Sequence, residues 1–250
     1  MLRRLFVVLL LFVSPLVNAQ AQNELKIVYF DAFPPYSYVN NKGQMEGILV
    51  DIAREVLEHR MGLEVSHQGL PWARAQSMVK NGQADAFISV ATSERLKYVD
   101  AALEPVVVGP ITLFTKNDPA SVNKLVNVQT VDDLKPLNIL DYSGNGWGNA
   151  HFPEAEFQRI LLFDLADAFN MLAKGRGDVI ATDKIVANYV LKELAVSQSV
   201  TEVPTVLDVV AFSLCIGKQS PYLSVLEAFS AEMEKFRAEG GDKRIVQKYQ

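Results

Sequence analysis

Cysteine is almost missing from this 250-residue chain, because Cys215 stands alone. No intramolecular disulfide framework can form. Cys215 lies in the apolar run Val209 to Ile216 and reads as a small buried hydrophobe. Histidine is nearly as scarce. His59, His67 and His151 are scattered, and with no paired cysteines they have no zinc spacing. Neither a Gly-x-Ser-x-Gly elbow nor a phosphate-binding P-loop occurs. No metal or cofactor is therefore expected. An excess of positive charge is lacking too. Lys and Arg number 24 against 29 Asp and Glu, a net of −5, which argues against nucleic acid and anionic membranes as partners.

Long apolar runs are confined to the first residues. Arg3 and Arg4 precede the apolar stretch Leu5 to Val13, and small-residue cleavage sites follow at Val17-Asn18-Ala19 and Ala19-Gln20-Ala21. This is the pattern of a cleaved secretory signal peptide over residues 1–21, and it implies a periplasmic protein. The stretch is shorter than the ~20 residues of a spanning helix. No cysteine near the cleavage site offers a lipid attachment point. Without Arg3 and Arg4 the basic residues fall from 24 to 22 against 29 acidic ones, a net of −7. About 230 remaining residues suffice for one or two domains with a sizeable core.

What the chain does contain is a repeated phrase. Met78-Val79-Lys80-Asn81-Gly82-Gln83-Ala84-Asp85 lines up with Met171-Leu172-Ala173-Lys174-Gly175-Arg176-Gly177-Asp178, 93 residues later. In each copy a helical pattern stops at a glycine and an apolar strand follows the aspartate. Self-similarity of this kind fits two related α/β lobes. Arg95 follows the first strand and Asp183 the second, at the strand ends where ligands of open α/β sheets sit. Facing lobes would present a cation and an anion to a ligand carrying both charges, such as an amino acid.

Read in order, the chain alternates strands and helices. Leu25 to Phe30 is a strand, and Asp31 to Tyr38 an aromatic, proline-rich turn. A helix from Gly47 places Ile48, Ile52, Val56 and Leu57 on one face. Leu63 to Ser66 is a second strand, and Trp72, Ala75 and Val79 share a helix face. Val106 to Thr115 and Val206 to Cys215 are strands that cross between the lobes. Residues 22–114 and 207–250 then form the first lobe and 115–206 the second.

The chain resembles the family 3 periplasmic solute-binding proteins over nearly all of its mature length. The resemblance rests on four segments in the family's order: Phe33-Pro34-Pro35-Tyr36 through Gly47 to Asp51, Gly82 to Arg95, Gly175 to Asp183, and the terminal helices ending at Tyr249. It implies an α/β, two-lobed periplasmic binding protein fold of type 2 with two hinge crossings. It also implies an amino acid ligand whose carboxylate meets Arg95 and the turn from Ser143 to Trp147. By the same resemblance Asp183 takes the ammonium, and Phe33 and Trp72 flank the side chain. The expected partners are a small-molecule ligand (an amino acid or related carboxylate) and an inner-membrane ABC permease or a sensor, with the protein itself a monomer. The chain departs from the family in having Gly47-Ile48-Leu49-Val50-Asp51 where Gly-Phe-Asp-x-Asp is common. It is also about two residues shorter between Asp85 and Arg95, where Ser89 and Thr92 are the candidate hydroxyl contacts.

Each candidate has a plainer reading beside it. A guanidinium suits a carboxylate because it makes two parallel charge-assisted hydrogen bonds, yet Arg95 also fits a solvated first helical turn capped by Thr92. Asp183 is equally a preferred helix N-cap. Trp72 offers a flat apolar face to a ligand or to the core. Tyr36, after two prolines, lines the cleft or covers the sheet edge. Arg74 is a second cleft cation or a solvated helix residue. Ser143, Asn145 and Trp147 lie in a glycine-rich turn whose amides can converge on an anion; the plainer alternative is a flexible turn. Asn149 stands where a dinucleotide fingerprint would need its last glycine. The competing function is an enzyme on the same scaffold, resembling periplasmic dehydratases, which add an acid–base carboxylate inside the cleft; nothing in the sequence marks such a group, and Glu94 and Asp141 are the carboxylates that could lie near the mouth.

Overall fold

A computed structural model describes residues 24–250. The signal-peptide expectation concerns residues 1–21 and lies outside the described residues. No helix among the described residues is long and apolar enough to cross a membrane.

The first strand, β1 (Leu25–Phe30), is deeply buried, with Leu25, Ile27, Val28 and Tyr29 at or near zero exposure. A small meander follows, β2 (Ala32–Phe33), β3 (Ser37–Val39) and β4 (Met45–Glu46). Helix α1 (Ile48–Ala53) continues as π-helical turns over Arg54–Arg60, and Ile48, Ile52, Val56 and Leu57 are all fully buried, as the spacing predicts. Then come β5 (Val65–Leu70), α2 (Trp72–Lys80), β6 (Ala86–Ser89) and β7 (Val99–Ala101). β1 pairs in parallel with β5 and β6, which makes the first lobe an open α/β sheet. β5 is displaced from the expected Leu63–Ser66. It is an edge strand, so polar His67 and Gln68 sit in it without the alternation that marks a half-buried strand.

The second lobe repeats the plan. β8 (Val107–Lys116) leads through α3 (Pro119–Leu125) to β9 (Asn138–Tyr142), α4 (Gly146–His151), β10 (Gln158–Leu162), α5 (Leu165–Ala173), β11 (Ile180–Asp183) and α6 (Lys184–Glu193). β9 and β10 are parallel, and an isolated parallel bridge from Ile139 to Val179 joins β9 to the β11 segment. β12 (Val200–Gly217) then returns the chain to the first lobe, where α7 (Val225–Ala238) and α8 (Gly241–Gln247) complete it.

β8 and β12 are the two crossings. They pair antiparallel with each other, β8 also with β11, and β12 also with β6 and β7. β12 is longer than the expected Val206–Cys215. Its register with β8 shifts between Val203 and Val206, around Pro204, which has no N–H to give to the ladder. That proline hides the strand's first half from a pattern reading. Cys215 is buried in β12, and burial pushes its thiol up to about 12.

The repeated phrase turns out to be one hydrogen-bonding device used twice. Gln83 N donates to the Met78 carbonyl (2.8 Å) and Arg176 N to the Met171 carbonyl (3.1 Å), each wrapping a helix end onto a left-handed glycine, Gly82 or Gly175. Asp85 Oδ2 accepts from Lys26 N and Asp178 Oδ2 from Asn138 N, both at 2.9 Å. Each aspartate thus pins the start of its lobe's first strand.

One buried histidine makes stability pH-dependent. His67 accepts or donates at both nitrogens, to Tyr29 Oη (2.9 Å) and Glu58 Oε1 (2.8 Å), and burial lowers its pKa below the usual 6.5 despite the pull of Glu58. The unfolded chain therefore takes up a proton near pH 6.5 that the native state resists, so stability falls as pH drops through that value. The urea midpoint should decline between pH 7 and 5, and His67→Gln should flatten that decline. An unchanged slope in the variant would place the acid sensitivity elsewhere.

Candidate functional site

Arg95 opens a single 3-10 turn six residues beyond the end of β6. Its backbone N–H is capped by Thr92 Oγ1 at 3.4 Å, as the plainer reading has it, but its side chain folds inward. Nε donates to Gln76 Oε1 (3.1 Å), and Nη1 donates to Ser89 Oγ (3.1 Å) and the Val90 carbonyl (2.8 Å). The guanidinium lies over the Trp72 ring at 4.9 Å. Among the described residues no carboxylate is within ion-pair distance of it, and burial depresses its pKa. All its protein partners are neutral, so the charge is half-buried and uncompensated. Such a charge is costly unless an anion completes it.

Arg95 itself lines an open cleft with Gln76, Thr92, Glu94 and Tyr98, and its partners Trp72 and Ser89 are walls of a cavity of about 210 Å³. It is lined by Phe30, Phe33, Trp72, Phe212, Leu49 and Ile88, with the hydroxyls of Ser37 and Ser89, and Gly144 closes it from the second lobe. Phe33 sits 5.2 Å from Tyr36 and 6.2 Å from Phe212. Trp72 packs edge-on against core Phe87 at 5.3 Å and also lines the cavity.

Asp183 ends β11 and caps α6, with Oδ1 accepting from Ile185 N (2.8 Å) and Val186 N (3.1 Å). Its other oxygen, Oδ2, accepts a 2.6 Å bond from the Tyr36 hydroxyl of the first lobe. Burial raises the Asp183 carboxyl pKa, and burial together with Asp183 keeps the Tyr36 phenol protonated and donating. The pair lies on bare backbone, because a Cβ at Gly109 would come within 1.9 Å of Asp183 Oδ2 and 2.5 Å of Tyr36 Oη.

The glycine-rich turn is more inward-looking than expected. Asn145 caps α4 through Gly148 N (3.1 Å), and its amide donates to buried Asp141 (2.8 Å). Trp147 donates its indole N–H to Asp208 (2.7 Å), stacks on His151 and edges Phe152, so it serves the second lobe's core. Ser143 is exposed and bonds the Leu162 carbonyl at 3.2 Å. Arg74 and Thr92 are exposed. Neither lines the cavity. Of the enzyme candidates, Glu94 is exposed and paired with Lys97, and Asp141 is enclosed with Arg159 at 2.8 Å. Among the described residues no cluster could hold a metal.

The structure thus gathers Phe33, Trp72, Ser89 and Arg95 in one place, with Tyr36 and Asp183 joined beside them. Pattern reading missed Phe30, Phe212 and Gln76. Gln76 is one helical turn after Trp72, a spacing that places two side chains on one face. Phe212 had a signal only in the crossing strand's alternation.

No curated protein sequence matches the chain. Its fold is shared by many solved structures. The unliganded, open L-cystine solute receptor of Neisseria gonorrhoeae is 19% identical, covers 92% of this chain and 93% of its own, and superposes with a TM-score of 0.71. An ancestral cationic amino acid solute-binding protein is 20% identical, with a TM-score of 0.69 and coverage of 91% and 95%. A histidine kinase sensor domain similar to periplasmic binding proteins is 18% identical, with a TM-score of 0.66 and coverage of 91% and 96%. Residues 25–250 match the model of one sequence family throughout, and the chain belongs to the bacterial extracellular solute-binding proteins, family 3.

Proposed function

We propose that this protein captures a small carboxylate-bearing solute, an amino acid or a related acid, between its two lobes. The observation that carries the reading is Arg95, a half-buried guanidinium with neutral partners only, stacked on Trp72 beside an aromatic cavity. A ligand carboxylate would supply the missing charge, and the rings would cover the rest of the molecule. The lobe division at 114/115 and 206/207 belongs to this reading, since β8 and β12 run through both cuts. Closure would be favoured by a ligand that touches both lobes, because only differential contacts shift a conformational equilibrium. The enclosure of Asp141 and the exposure of Glu94 support binding over turnover. The loaded protein would act as a periplasmic monomer that hands its ligand to an inner-membrane ABC permease; a sensor is the other destination the fold allows.

A thermal-shift screen of the protein against amino acids, small carboxylic acids and polyamines tests this. A ligand at 100 times its dissociation constant adds about 2.7 kcal/mol to the native state. Shifts should appear among carboxylates. Shifts confined to polyamines would overturn the reading.

A further inference from the structure

Resting on that reading, we infer that the ligand is an apolar or aromatic carboxylic acid whose recognition needs no α-ammonium group, and that Tyr36 is the residue that sets this specificity. The cavity beside Arg95 has no acidic side chain in its lining. Asp183 is outside that lining; Arg95 is outside it too but touches two of its walls, bonding Ser89 and lying over Trp72, whereas Asp183 bonds only Tyr36 and the start of α6. Phe212 is a cavity wall, and the fully buried Tyr36 ring packs on it with centroids 4.5 Å apart.

The inner oxygens of Asp183 are already served. Two backbone N–H groups at the start of α6 hold Oδ1, and the helix dipole there favours the negative charge. The Tyr36 hydroxyl holds Oδ2 at 2.6 Å. Gly109 brings hinge-strand backbone under the same pair so closely that even a methyl group would collide. An ammonium group reaching Asp183 would compete with the phenol for Oδ2, the oxygen that faces the first lobe. The tyrosine hydroxyl thus occupies the donor position that an amino acid's ammonium would fill. What remains for a ligand is one guanidinium, the Ser89 hydroxyl that it bonds, and a box of four aromatic rings.

Calorimetry with matched pairs tests this: phenylalanine against 3-phenylpropanoate, and leucine against 4-methylpentanoate. The wild type is expected to bind the amine-free acid of at least one pair tenfold or more tightly than the amino acid. Tyr36→Phe frees Asp183 Oδ2 and is expected to narrow or reverse that ratio, while Arg95→Met weakens both members of the pair. The ratio is internal to each variant, so a general loss of packing leaves it unmoved. A wild type that prefers the amino acids, with Asp183→Asn removing the preference, overturns the inference but keeps the Arg95 reading. Equal affinities within each pair, or a ratio untouched by Tyr36→Phe, overturn the assignment to Tyr36. Binding of none of the four, or binding indifferent to Arg95→Met, overturns both.

Discussion

Arg95→Met is expected to weaken carboxylate binding by roughly thirty- to several-thousand-fold while leaving the fold in place. The range follows from the ~2–5 kcal/mol lost when one partner of a desolvated, hydrogen-bonded charge pair is removed. Methionine is the informative replacement because its stem can still pack on Trp72, where the guanidinium now lies. The native state should be little harmed by the change, since it no longer keeps a cation half-buried with neutral partners alone. Equilibrium dialysis or calorimetry with any ligand found by the thermal screen gives the first number, and urea unfolding gives the second. Undiminished affinity in the variant would falsify the anchoring role. A collapse of stability without ligand would show instead that Arg95 is a structural tie between β6, α2 and the turn it opens.

The largest loss of stability should come from Asp141→Ala. Asp141 is 1% exposed, and it holds Arg159 Nε at 2.8 Å, Asn145 Nδ2 at 2.8 Å and its neighbour's amide at 2.7 Å. Gly148 passes so near that a Cβ there would stand 2.2 Å from Asp141 Oδ2. Truncating the carboxylate leaves Arg159, also largely buried, without its counter-ion, at a cost of about 3–5 kcal/mol. For a chain of this size that corresponds to a fall in Tm of roughly 6–20 °C. The double variant Asp141→Ala with Arg159→Met should recover a substantial part of the loss, because removing both charges is far cheaper than stranding one. A single variant that melts within ~2 °C of the wild type would mean that water satisfies Arg159 readily.

The fold was legible where periodicity and punctuation agree. Ile48, Ile52, Val56 and Leu57 form one buried face because residues three and four apart share a helix side. The Met-to-Gly-to-Asp phrase marks a helix end, a left-handed glycine and a strand clamp, all of them local events. Strands were misjudged where the environment overrides the pattern, at the polar edge strand β5 and at Pro204 in β12. The site was legible only in part. The position of Arg95 after β6 and the cap at Asp183 are both local, and both could be read. Which partner each side chain takes depends on elements far apart in sequence. The Tyr36 bond to Asp183 spans 147 positions, and Trp147 turns to Asp208 across 61. Spacing along the chain carries no information about either choice.

Asp85 and Asp178 clamp the opening residues of β1 and β9, while Ser89 and Asp183 close the strands that follow them. Under the proposed function, folding is delegated to the start of β6 and recognition to its end, while β11 closes on the Asp183–Tyr36 bond. Such a division makes the chain evolvable. The loop beyond Ser89 can be lengthened, shortened or rewritten without loosening the Asp85 clamp, whereas α6 starts directly after Asp183 and leaves no loop to vary there. A loop library built beyond Ser89 should yield new solute preferences at little loss of foldedness, and the same diversity planted around Asp85 or Asp178 should yield mostly unfolded chains.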